Sequence, residues 1–160
     1  PPQNQYDAGR ARKALYGAAT PQRRKPVTPS KTGIATELSK LKFPTHRRLR
    51  HMLARLPTET VKIILFLPYH HFHQPAPGSS AHGRWKECKR RLAAMSASQP
   101  NSHVMDFMIH SKITLEDSNY WDPLHFKIRI AHQIARMIAD GVRAKTGREG
   151  YFNYLTHPEK

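Results

Sequence analysis

A chain of 160 residues is long enough to bury the core of one ordinary domain. Its single cysteine, Cys88, excludes an internal disulfide and a multi-cysteine zinc site, and no apolar run reaches the ~18 residues that a membrane-spanning helix needs. The formal net charge of +16 favours anionic partners such as nucleic acid, acidic lipid or acidic polysaccharide.

That charge is uneven. Residues 1–56 hold 13 Lys and Arg against Asp7 and Glu37, whereas residues 57–160 hold 14 against nine acids. Residues 1–44 also carry Pro1, Pro2, Pro21, Pro26, Pro29 and Pro44 with little apolar periodicity. Such a segment buries too little to offset its ordering entropy, so it reads as a basic arm or linker, extended or packed on another chain. One short helix fits residues 8–19, with Ala11, Leu15 and Ala18 on one side.

The pattern changes at Thr45, which can cap a helix to Leu56 with Leu49, Met52, Leu53 and Leu56 on one face. Residues 61–67 form a β-rich apolar run that suits a strand covered on both faces. A loop rich in His, Pro, Gly and Ser follows, then a helix over 84–97 with Trp85, Cys88, Leu92 and Met95 at spacings of three and four. Residues 103–108 make a second strand, and a third helix is expected from Pro123 to Asp140. Its stripe would be Leu124, Ile128, Ala131, Ala135 and Ile138, with Gly141 as terminator. Helix and strand alternate, so the fold class is α/β, with a partial parallel sheet flanked by helices. The expected divisions are an arm at 1–44, an α/β portion at 45–141 and a tail at 142–160. Two strands are too few for a complete sheet, so others are expected upstream of Pro1 or from a partner, including a second copy.

Asn119-Tyr-Trp-Asp122-Pro-Leu-His125 is the sharpest chemical feature. Pro123 disfavours the helical region for Asp122 and is comfortable at a first helical position. At a spacing of three, the Asp122 carboxylate can reach one imidazole nitrogen of His125, fix its tautomer and leave the other nitrogen as a base. The plainer alternative makes Asp122 a helix cap and His125 a surface residue. Tyr69-His70-His71-Phe72-His73 follows the first strand, where open α/β sheets place ligands, so His70 and His71 are candidates to line a substrate site. No Cys or acid adjoins them in sequence to complete a metal site, and no cofactor motif occurs. The basic stretch Thr45-His-Arg-Arg-Leu-Arg-His51 can follow phosphates or simply face solvent. Trp85, Phe66 and Phe107 fall at expected core positions.

From Leu56 to Gly141 the chain resembles the C-terminal part of SGNH/GDSL-type hydrolases. The residues that carry this are Ile63-Ile-Leu-Phe-Leu-Pro68, Val104-Met-Asp-Phe107 and then Asp122-Pro-Leu-His125 before a closing helix. The resemblance is greatest to members related to polysaccharide O-acetylation, which are often membrane-tethered or periplasmic. It implies the C-terminal half of a flavodoxin-like three-layer domain. It also implies an ester substrate such as an acylated carbohydrate, with His125 as general base and Asp122 orienting it. The nucleophilic serine of that family follows the first strand. No Gly-Asp-Ser block occurs here, and Gly78-Ser79-Ser80 lies after a late strand and reads as loop. A base and orienter without a nucleophile cannot turn over an ester. The alternative is a non-enzymatic basic module that grips an anionic polymer.

Overall fold

The structure is a computed structural model that describes residues 7–18 and 38–156. Most of the expected 1–44 arm therefore lies outside the described residues.

Helix α1 spans Ala8–Tyr16. The Asp7 side chain accepts from the amides of Gly9 (2.8 Å) and Arg10 (3.1 Å), and Gly17, at φ 70°, ends the helix in the left-handed region. Its apolar side is the expected one, since Ala11 and Leu15 are buried, joined by Tyr16. The expectation that this region avoids its own core is corrected for these residues. Leu15 and Tyr16 pack with Met105, Phe107, Ile113 and Ile134, because an amphipathic helix stabilises itself by burying its stripe.

Helix α2 spans Pro44–Ala54. Thr45 does not cap it. Phe43 holds that position without a side-chain bond, and Pro44 occupies the first turn, where its missing N–H costs nothing. Leu53 is buried and Leu49 packs beside it, whereas Met52 and Leu56 are exposed.

Strand β1 (Lys62–Phe66) pairs in parallel with β2 (Ser102–Asp106), Lys62 opposite Ser102 and Phe66 opposite Asp106. Helix α3 (Ser80–Ala97) connects them. It begins four residues before the expected 84, because the Ser79 hydroxyl accepts from the His82 amide and caps the turn there. A third strand, β3 (Asn153–Tyr154), pairs antiparallel with β2, so the sheet is mixed, in the order β1-β2-β3. Thr156 fixes this return, its hydroxyl oxygen accepting from the Val104 amide at 2.6 Å.

Residues 62, 64 and 66 face α2 and α3, where Ile64 and Phe66 pack with Leu49, Leu53, Leu92 and Met95. On the opposite face Leu65, Met105 and Phe107 meet α1 and helix α4 (Ile128–Ala144) through Ile130, Ile134 and Met137. Lys62 is buried, and its ammonium donates to the carbonyls of Pro57, Thr60 and Pro100 at 3.0–3.1 Å. Among the described residues β1 lies at the end of the sheet, and Val61, Ile63 and Leu67 beside its outer edge are exposed.

Two expectations for the last helix are corrected. It starts at Ile128, not near Pro123, because residues 120–126 form a tight hairpin with a Tyr120–Phe126 bridge and a Trp121 N–H to His125 carbonyl bond of 2.9 Å. Its buried stripe is Ile130, Ile134, Met137 and Gly141, and Ile128 is exposed. Gly141 lies inside the helix. A Cβ there would stand 3.0 Å from Met105 Cε and Phe152 Cζ, so its small size lets α4 approach the sheet. The helix ends on Lys145 at φ 54°.

Candidate functional site

The parallel strands run their carboxyl ends toward the loops at 67–79 and 107–127. Tyr120, fully buried, donates its hydroxyl to the Pro68 carbonyl at 2.8 Å, and the His70 amide donates to the Pro123 carbonyl at 2.9 Å. These two bonds hold the hairpin with Asp122 and His125 against the chain that leaves β1.

Within the hairpin, His125 Nδ1 lies 2.7 Å from Oδ2 and 2.9 Å from Oδ1 of Asp122. Asp122 Oδ1 also accepts from the amides of Leu124 (2.9 Å) and His125 (3.0 Å). Orienting carboxylate and local cap, set apart in the sequence reading, are thus one arrangement: an Asx turn whose carboxylate also binds the ring. Burial works to raise the Asp122 carboxyl. The Leu124 amide and the ring and amide of His125 outweigh it and hold the group below the usual aspartate range. An acceptor at Nδ1 favours the tautomer with its proton there and turns the Nε2 lone pair outward. The His125 side chain is 75% exposed, so Nε2 is accessible.

The rings of His70 and His71 lie 4.5 Å apart but differ in burial. His70 is fully buried, with Nε2 3.1 Å from Asp117 Oδ1 and Nδ1 accepting from the Phe72 amide at 3.3 Å. Tyr16 donates its hydroxyl to the same Asp117 oxygen at 2.7 Å. Burial, then the Asp117 hydrogen bond and charge, push the Tyr16 phenol well above its ordinary range. No solute reaches the His70 ring in this arrangement. It supports the loop, with edge contacts to Tyr16 and Tyr120 at 5.6 and 5.2 Å. His71 is half-buried, its ring 5.9 Å from that of His110.

His70, His71 and Asp117 each present a ligand atom, all within 4.8 Å of one another. The sequence hid this trio, because Asp117 is 47 residues from His70. The ring chemistry favours a hydrogen-bond network over a metal. A Phe72 N–H aimed at Nδ1 marks that nitrogen as unprotonated in a neutral ring, so Nε2–H donates to Asp117. A metal ligand at Nε2 needs the reverse pattern, with Nδ1 as donor.

Elsewhere, Phe107 is fully buried as expected and Phe66 half-buried, but Trp85 leaves the core and walls a groove beside α3. Cys88 is half-buried, with Sγ 3.4 Å from His46 Nε2, and burial pushes its thiol up, away from the reactive thiolate. No helix among the described residues is long and apolar enough to cross a membrane. No protein-family model, curated protein or solved structure matches the chain.

Proposed function

We propose that this chain supplies the base and orienting acid of an SGNH-type esterase or acyl-transfer site, in the C-terminal half of a flavodoxin-like domain. The observation that carries the reading is the Asp122 carboxylate on His125 Nδ1 at 2.7 Å, locked by two backbone amides and leaving Nε2 exposed. A histidine in that state accepts a proton from a serine hydroxyl as its oxygen attacks an ester carbonyl. It then returns the proton to the departing alkoxide, and a second cycle with water or an acceptor hydroxyl clears the acyl group. The substrate class is an ester, with an acyl group on carbohydrate as the favoured form, and His71 is the candidate to line its path. The apolar outer edge of β1, which pairs with no strand among the described residues, supports the reading too. Edge strands are ordinarily protected by charges or proline, and here Lys62 is turned inward on three carbonyls. Strands that carry the nucleophile would continue the sheet from that edge.

The test is hydrolysis of p-nitrophenyl acetate by this chain and by a polypeptide extended through the sequence encoded before Pro1. The chain alone is expected to show no turnover. In the extended protein, His125→Ala is expected to lower kcat by about 1,000-fold or more. Activity in the extended protein that survives His125→Ala overturns the proposal. Turnover by the chain alone, lost in His125→Ala, places the nucleophile within these residues.

A second reading rests on the groove between α2 and α3, lined by Arg47, Arg50, Arg90 and Arg91 and, among the described residues, by the single acid Glu87. Glu87, bound by both Arg90 and Arg91, is held down at about 2 by their hydrogen bonds. Such a surface suits an anionic polymer, and its affinity would fall steeply as salt rises.

A further inference from the structure

A groove of about 770 Å³ runs along α3 beside the carboxyl end of β2, and no residue of the Asp122–His125 hairpin lines it. Its size is that of a small-molecule site. The helical spacing of three and four brings His82, Trp85, Lys86, Lys89 and Arg90 to this one wall, and His110 enters from the loop after β2. The floor is apolar, made by Ala93, Ala97 and Met108.

The charges do not balance. Among the described residues Asp106 is the one acid that lines the groove, and Lys89 already occupies it at 2.7 Å while donating to the Met108 carbonyl at 2.8 Å. Arg90 is held by Glu87 at 2.7 and 2.8 Å, but Glu87 also serves Arg91. Among the described residues no acid pairs with Lys86, which lines the groove at its exposed rim, while the Lys89 ammonium stands over the half-buried Trp85 ring at 5.8 Å. Burial first, then the charges of Lys86, Lys89 and His110, lower the His82 pKa, as expected where positive charge converges.

We propose that this groove binds an amphiphilic anion, a molecule with an apolar alkyl or aryl body against Trp85 and the alanine floor and one terminal anionic group on Lys86. This inference goes beyond the hydrolase reading and stands independently of it. The apolar walls supply burial, and the unbalanced ammonium selects the sign of the head group.

Titration of octanoate, octanol and octylammonium into the protein tests it, followed by Trp85 fluorescence in a Trp121→Phe background. Octanoate is expected to saturate the signal, with octanol about tenfold weaker and octylammonium silent. Lys86→Gln, an exposed change that leaves the fold intact, is expected to weaken octanoate by about tenfold without altering octanol. Arg136→Gln, on the exposed side of α4, is expected to change neither. Equal binding of octanol and octanoate, an unaltered affinity in Lys86→Gln, or an equal loss in Arg136→Gln overturns the proposal. The last result would assign the effect to net charge alone.

Discussion

Tyr16 donates its phenolic hydrogen to Oδ1 of Asp117 at 2.7 Å, and so joins the first helix to a turn 101 residues away. Asp117 passes the connection to His70, whose amide holds the Pro123 carbonyl beside Asp122. The N-terminal helix is therefore a structural support of the candidate site. Tyr16→Phe is expected to cost about 1.5–3 kcal/mol in urea unfolding, the worth of a hydrogen bond to a charged acceptor. Leu15→Ala, at a fully buried position, is expected to cost about 2–5 kcal/mol. If both variants unfold like the parent, α1 does not pack on this core.

The Asp122–His125 pair predicts a tautomer and a pH response. Long-range proton–nitrogen NMR of the neutral His125 ring is expected to place its proton on Nδ1, and Asp122→Asn to shift population toward the Nε2 form. The folded Asp122 carboxyl lies below its ordinary value. Its stabilisation of the hairpin is thus complete above about pH 4, the ordinary aspartate range, and is lost as pH falls through the folded value. Protection of the Leu124 and His125 amides should fall in step. An Nε2-protonated ring in the parent protein would remove the main support for a base at this position.

The sequence made the two parallel strands and the Asp122–His125 contact legible because each depends on near neighbours: an apolar run of strand length, or a spacing of three beside a proline. What it hid depends on distance. Asp117 stands on no motif, and only folding brings it to Tyr16 and His70. β3 is two residues long, too short to show a period, and is fixed by Thr156 on Val104. The buried stripe of α4 excludes Leu124, because the Asx turn at Asp122 diverts the chain before the helix begins, and no local pattern marks that. Trp85 sits at a core-like helical spacing, yet the groove takes it.

Gly141 offers a test of close packing. Alanine would regain about 1 kcal/mol of helix propensity. Its Cβ would meet Met105 Cε at 3.0 Å and two Phe152 ring carbons at 3.0–3.1 Å, and that ring is stacked on Phe107 with centroids 4.7 Å apart. Overpacking of this kind costs about 1–3 kcal/mol, so Gly141→Ala is expected to be net destabilising by about 1 kcal/mol. A stabilised variant in thermal unfolding would show that the Met105 end moves aside freely.

The Lys89–Asp106 pair makes the sharpest energetic prediction, because both side chains are nearly out of solvent, at 14% and 4% exposure. Removing one partner strands the other's charge, so Lys89→Met or Asp106→Ala alone is expected to cost about 3–5 kcal/mol. The double variant Lys89→Met/Asp106→Ala leaves no charge stranded and is expected to cost less than the two singles added, by about 1–3 kcal/mol. Strict additivity would mean that water reaches the pair. The pH response has the opposite sign to that of Asp122. Burial pushes the Asp106 carboxyl up, and Lys89 and the Met108 amide offset this only in part. The folded protein therefore holds a proton here more tightly than the unfolded chain. The Asp106 contribution becomes more favourable as pH falls from the folded value to about 4, the ordinary aspartate range. Urea unfolding of the parent and of Asp106→Asn at neutral pH and near pH 4 isolates this contribution. The gap between the two is expected to widen in the parent's favour at the lower pH, and a gap that narrows there would mean that Lys89 dominates the carboxyl after all.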